Sequence, residues 1–273
     1  MRYFYLSSIV LLFLGGFFLG FSGSVDDAHI TFWSALTLSD DGQLLNYNHE
    51  RVEQSSALLE VLLLAVLHRI SGINIVALGH VAMVVVAIMA IFFTGKMAQR
   101  ISPVSAPASL LLLGTSPFFV YWSFSGMEGP LLALLLVLLL LAMDDWLREK
   151  STLLIVALIS LATQMTRPEM PLVLCVFSLI LFPAYALLKL SIWRWKSLAQ
   201  FFFVQIICAG LLIAWRWWYF GDIAPQPVSA KIGGTLFSSL QTGLQYLQQT
   251  LLDLRLLLFT ALTATSSLLE LLR

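Results

Sequence analysis

Two adjacent aspartates, Asp26 and Asp27, stand just past the tripeptide Ser22-Gly23-Ser24 that closes the first long apolar segment of the chain. A carboxylate pair at a membrane edge packs poorly. It is well placed to take a proton from a hydroxyl, or to help hold a divalent cation with hard oxygen ligands. The stretch from Ser24 to Ser56 adds His29, Asp40, Asp41, His49, Glu50 and Glu53 against a single Arg51, a load that an ordinary short connection does not need. Other candidates lie further along, in Ser125-Gly126-Met127-Glu128, in Thr166-Arg167-Pro168-Glu169 and at Lys231. Arg167 sits where an apolar run ends, and Pro168 and Pro171 break or restart the helix there. Its guanidinium can fork onto a phosphate or onto the aspartate doublet; alternatively it pairs with Glu169 or snorkels to lipid headgroups. Lys231 is a point charge for a phosphate, or a solvated charge near headgroups. Glu128 accepts a hydrogen bond from a sugar, or caps the helix that follows it.

The elements that must carry these residues are helices in a membrane. Apolar residues make up 59% of the 273 and charged residues only 11%, with apolar runs recurring from end to end, which marks an all-α polytopic membrane protein. A bilayer core needs roughly 20 apolar residues as helix. Candidate spans are 3–21, 73–93, 105–123, 130–146, 152–166, 171–188 and 198–220, with a further run over 254–269. That gives one membrane domain over 1–273, with about 7–9 membrane helices at this span length, and no soluble domain. Arg2 and Ser22-x-Ser24 loosely suit a secretory signal, but the length of the first run and the spans behind it favour an uncleaved anchor.

Basic residues orient the spans. Lys96 and Arg100, Arg148 and Lys150, and Lys189, Arg194 and Lys196 mark three cytoplasmic loops, so the stretches 22–56, 124–129, 167–170 and 221–253 face outward. The run from Ala57 to Ile70 would spoil this parity if it crossed. It is short and carries Glu60, His68 and Arg69, and is read as a helix lying in or dipping into the outer interface. Ile30, Trp33, Leu36 and Leu38 follow the aspartates at near-helical spacing, which predicts a short surface helix with the doublet at its N-terminus. There the doublet either merely caps or does chemistry. Cys175 and Cys208 lie inside apolar runs and indicate neither disulfide nor metal site. His29, His49, His68 and His80 have no metal spacing; His80 reads as a helix-packing residue. Trp215, Trp217, Trp218 and Tyr219 beside Arg216 read as an outer interfacial belt.

Four pieces of the chain resemble a known family in that family's order. They are Asp26-Asp27-Ala28-His29-Ile30 with Asp41-Gly42-Gln43-Leu44-Leu45-Asn46 and Glu50-Arg51-Val52-Glu53, then Ser125-Gly126-Met127-Glu128, then Thr166-Arg167-Pro168-Glu169, then Pro225-Gln226-Pro227-Val228-Ser229-Ala230-Lys231. The family is the GT-C superfamily of integral-membrane glycosyltransferases, in particular the mycobacterial-type terminal arabinofuranosyltransferases and related bacterial flagellar motor control proteins. Trp33 stands where these carry Arg, and His29 where they carry Tyr. Asn48-His49 and Gln54-Ser55-Ser56 replace Asn-Pro-Gly and Gly-Tyr-Thr, which leaves the donor sugar open. Relatives continue through more spans into an outer domain, so the chain is expected to be C-terminally short.

The resemblance implies a GT-C-type helical bundle in a bacterial inner membrane, with its site on the periplasmic or extracellular side. It implies transfer of a sugar from a polyprenyl-phosphate donor to a cell-envelope glycan or lipid acceptor, with the membrane and no nucleic acid as partner. Asp26 is then the base, as an acidic residue just after the first span is in the resembling enzymes. Asp27 orients it or helps to hold a divalent cation, and Glu128, Arg167, Glu169 and Lys231 bind substrate. In a single displacement such a base drives attack from the face opposite the phosphate, which inverts the anomeric carbon. Two other classes stay open: a noncatalytic membrane scaffold that keeps the fold and loses the activity, and a transporter, which would bury ionisable residues at the midplane where spans such as 105–123 show none.

Overall fold

Every regular element among the described residues is helical. The structure, a computed structural model, describes residues 1–18, 25–104, 106–188, 195–231, 241–249 and 252, with the backbone alone for 182–188 and 229–231. Ser22-Gly23-Ser24, Lys189, Arg194 and the run 254–269 therefore lie outside the described residues. The chain divides into two compact units, Met1–Val228 and Ser229–Arg273. In the second, residues 241–249 form a helix.

The first unit is built from α1 (Arg2–Phe18), α2 (Asp26–Asp41), α3 (Leu58–Ser71), α4 (Ile75–Ile101), α5 (Ala106–Thr115), α6 (Pro117–Phe124), α7 (Gly129–Leu147), α8 (Leu153–Gln164), α9 (Met170–Leu188) and α10 (Trp195–Phe220). A short α11 (Gln226–Lys231) follows. By length and composition α4, α7 and α10 are long and apolar enough to cross a membrane, while α1, α5, α8 and the described part of α9 are shorter apolar helices. With 27 and 26 residues, α4 and α10 run past the apolar stretches that predict them. Charged residues such as Lys96 and Arg100 are good helix formers and simply carry the helix beyond its apolar part.

The run expected as one span over 105–123 is two helices. Pro117 lacks an N–H and disfavours helical backbone at Ser116, which is extended at φ −63° and ψ 115°. The Ser116 hydroxyl then starts the second helix by accepting from the Phe119 N–H at 3.5 Å.

Contacts at the helix ends fix their directions. At one end Gln99 of α4 donates to the Tyr5 hydroxyl of α1 at 3.2 Å, and Arg100 of α4 pairs with Asp144 and Asp145 of α7 at 3.0 and 2.7 Å. At the other end the Leu59 N–H of α3 donates to the Met165 carbonyl behind α8 at 3.0 Å, and Arg216 of α10 reaches Glu53 at 2.8 Å. So α4 and α7 run parallel, and α1, α8 and α10 run against them. The first acidic stretch, the turns before α7 and after α8, and the end of α10 consequently meet at one end. This is the alternation that the basic-residue pattern requires.

The run 57–70, expected to lie at the interface, is α3, 14 residues and about 21 Å long, with Leu58, Val61, Leu64 and Ala65 buried. They join Ala28, Phe32 and Ala35 of α2, Ile75 and Leu78 of α4 and Leu212 of α10 in one core cluster. The helix predicted after the doublet is α2, but the face it buries is Ala28, Thr31, Phe32, Ser34, Ala35 and Thr37, whereas Ile30, Trp33, Leu36 and Leu38 are only half-buried. Small side chains let helices approach closely. Gly79 of α4 shows how closely, because the Phe32 ring fills the place its Cβ would take.

Candidate functional site

The aspartate doublet opens α2. Val25 is the N-cap, in extended backbone and with no side-chain oxygen, so neither aspartate is the cap residue. Asp26 and Asp27 occupy the first two helical positions, both exposed, where free N–H groups and the helix dipole favour negative charge.

Asp27 lies close enough to Glu128 for its charge to act on that residue. Glu128 is the N-cap position of α7, yet its side chain makes no capping bond; it is 2% exposed and turned to Arg167 instead. The chain reaches Glu128 through Gly126, whose φ of +78° is the left-handed turn that glycine adopts freely. Arg167 stands in the turn between α8 and α9, held by the Thr166 hydroxyl donating to the Thr163 carbonyl at 2.6 Å and the Met170 N–H donating to the Arg167 carbonyl at 3.2 Å. Its Nη1 donates to Glu128 Oε1 at 2.7 Å and its Nε to exposed Glu169 Oε1 at 2.6 Å. The fork that could have reached a phosphate or the doublet is thus closed on two carboxylates of the protein.

Behind them is a residue that sequence reasoning treated only as a charge too many for a span. Glu60, in the first turn of α3, is 0% exposed, and neither of its carboxylate oxygens has a hydrogen-bond partner. Glu128 Oε2 is likewise buried and unpartnered. Burial pushes the Glu60 carboxyl well above the ordinary carboxylate range, and the nearby charge of Glu128 adds to that. Burial raises Glu128 as well, against the downward pull of its own backbone and of Arg167. The corner therefore sets one guanidinium among four carboxyl groups, those of Asp27, Glu60, Glu128 and Glu169.

A second charge pair went unread in the sequence. Arg216 forks onto Glu53 through Nε at 2.8 Å and Nη2 at 3.1 Å, with both side chains buried. The available signal was an arginine in an apolar run, which must either snorkel or find a carboxylate. Beside it the Tyr219 hydroxyl accepts from the Leu44 N–H at 3.0 Å, Arg51 lies over the Tyr219 ring at 5.0 Å, and Trp215 stacks on Tyr219 at 5.5 Å. Tyr219, with Trp215 stacked on it, therefore docks the first acidic stretch onto α10, while Trp217 and Trp218 stay exposed.

The remaining candidates fall as follows. His80 packs as read, its Nδ1 at 2.9 Å from the Phe124 carbonyl. Both cysteines are free. Among the described residues no three His, Cys, Asp or Glu side chains are grouped as metal ligands. Lys231 belongs to the second unit and ends α11, and its side chain lies outside the described residues. No family model, curated protein or solved structure matches this chain.

Proposed function

We propose that the chain is a multi-pass glycosyltransferase of the GT-C type, which moves a sugar from a polyprenyl phosphate to an envelope glycan or lipid at the outer face of a bacterial inner membrane. The observation that carries this reading is the gathering of Asp27, Glu128, Arg167 and Glu169, from three separate motif pieces, at the end of the unit where Asp26 opens α2. In this reading Asp26 takes the acceptor hydroxyl's proton and the sugar is inverted, while Asp27 orients Asp26 or helps to hold a divalent cation. Arg167 bears the charge of the departing phosphate. Its two bonds are unequal, which suits that role. The bond to buried Glu128 anchors the guanidinium, and the one to exposed Glu169 is the weaker, solvent-screened bond that a phosphate displaces.

Asp26→Asn keeps the shape and cannot accept a proton, so transfer in membranes should fall about 100-fold or more with insertion intact. A variant with near-normal transfer would move the base to Asp27. One observation favours the scaffold reading, namely that Arg167 is already neutralised by its own carboxylates. That reading predicts no change in envelope glycans when the protein is removed.

A further inference from the structure

We propose that Glu60 and Glu128 hold one proton between them, with a protonated Glu60 donating to Glu128 Oε2, so that the pair presents a single negative charge to Arg167. Three carboxylate oxygens are buried here without partners, both of Glu60 and Oε2 of Glu128, while Glu128 Oε1 is taken by Arg167. Glu60 is 0% and Glu128 2% exposed, so bulk solvent does not reach them. The start of α3 is held at this corner independently, by the Leu59 N–H bond to the Met165 carbonyl and by the packing of Leu59 and Leu63 against the core cluster that α4 and α7 share, Leu131 included.

A buried carboxylate with no donor is strongly disfavoured, and two carboxylates sharing a site do not both ionise. One proton removes both difficulties, because it neutralises Glu60 and supplies the donor that Oε2 lacks. The other titratable or charged groups around the pair are Asp27 from α2, His80 from α4, and Arg167 and Glu169 from the turn between α8 and α9. Of these only Arg167 is a fixed positive charge, and it is already shared with Glu169. Burial and the neighbouring Glu128 charge both favour the protonated form of Glu60. Glu60 is thereby a positioning residue, which acts on Arg167 through Glu128. The proton itself does not depend on the transferase reading; only its effect on a bound phosphate does.

The test uses the full chain in lipid nanodiscs. Infrared spectra at neutral pH should show the C=O stretch of a protonated carboxyl, shifted in D2O, which Glu60→Gln removes. The pH dependence of thermal stability gives a second readout. Because the folded-state pKa of Glu60 is raised, the folded chain keeps a proton that the unfolded chain releases. Its stabilisation is full below the ordinary carboxyl range and declines as pH rises toward the folded value. Glu60→Gln, which mimics the protonated acid, should fold and flatten that decline. The idea is overturned if no band disappears, if the decline is as steep in Glu60→Gln as in the wild type, or if Glu60→Gln fails to fold. Sodium or calcium ions stabilising the wild type but not Glu60→Gln would show a cation in place of the proton, and overturn it equally.

Discussion

Glu53 and Arg216 are 6% and 4% exposed at their side chains, joined by two N–H···O bonds and closed off by the end of α10. Neither can be removed alone without stranding a buried charge, so Glu53→Ala should destabilise by about 3–5 kcal/mol. Glu53→Leu combined with Arg216→Met should recover most of that loss in denaturation of the detergent-solubilised chain. A double variant as unstable as the single would show that the loss comes from packing rather than from the stranded charge. Arg167 calls for a different substitution, because its Nε and Nη1 reach two separate carboxylates. A lysine cannot bridge both from one compact ammonium. On the transferase function proposed above, Arg167→Lys should therefore lower turnover and raise the donor KM about as much as Arg167→Ala does, and near-normal transfer by the lysine variant would count against a fork.

At the scale of elements, one close contact of the acidic stretch is between α2 and α4. Phe32 occupies the space over Gly79, so Gly79→Ala forces the ring aside and should cost about 1–3 kcal/mol, read by thermal unfolding. Adding Phe32→Leu should relieve part of that cost; no relief would mean that the glycine matters for its backbone instead. The helices themselves were legible because long apolar runs leave few alternatives, and α2 was legible from the spacing of Ile30, Trp33, Leu36 and Leu38. Which face α2 buries was not, since apart from Phe32 the buried face is small or polar, and the room for the Phe32 ring comes from Gly79 on a different helix. The break at Ser116 and Pro117 was written in the sequence as a helix-stop signal, yet hydropathy alone runs straight through it. Glu60 was hidden for the opposite reason. A carboxylate in an apolar run reads as a reason against a span, and only the packing of α3 with its neighbours shows that it is wholly enclosed.

At the scale of the molecule, the motif residues Asp27, Glu128, Arg167 and Glu169 were legible as a set because loops on alternate turns of an up-and-down helical chain share one end. The structure brings those turns together, with the Arg100, Asp144, Asp145 and Arg148 cluster at the opposite end. That cluster is a mixed pair network, so the charge asymmetry that orients the protein rests on Lys150 and on the other basic residues that the network does not neutralise. The prediction is that the acidic end faces outward. Asp40, Glu169 and Asp222 are exposed at or near that end, and Lys150 is exposed at the other. With Cys175 and Cys208 replaced by alanine, a single cysteine at position 40, 169 or 222 should react in intact cells with a membrane-impermeant thiol reagent, and one at 150 only after the cells are opened. Position 128 is unsuitable, because Glu128 is buried against Arg167 and a cysteine there would be shielded on either side of the membrane. Labelling at 150 from outside, with 40 and 169 silent, would turn the molecule over. The carboxylate corner would then face the cytoplasm, and a donor presented at the outer leaflet could not reach it.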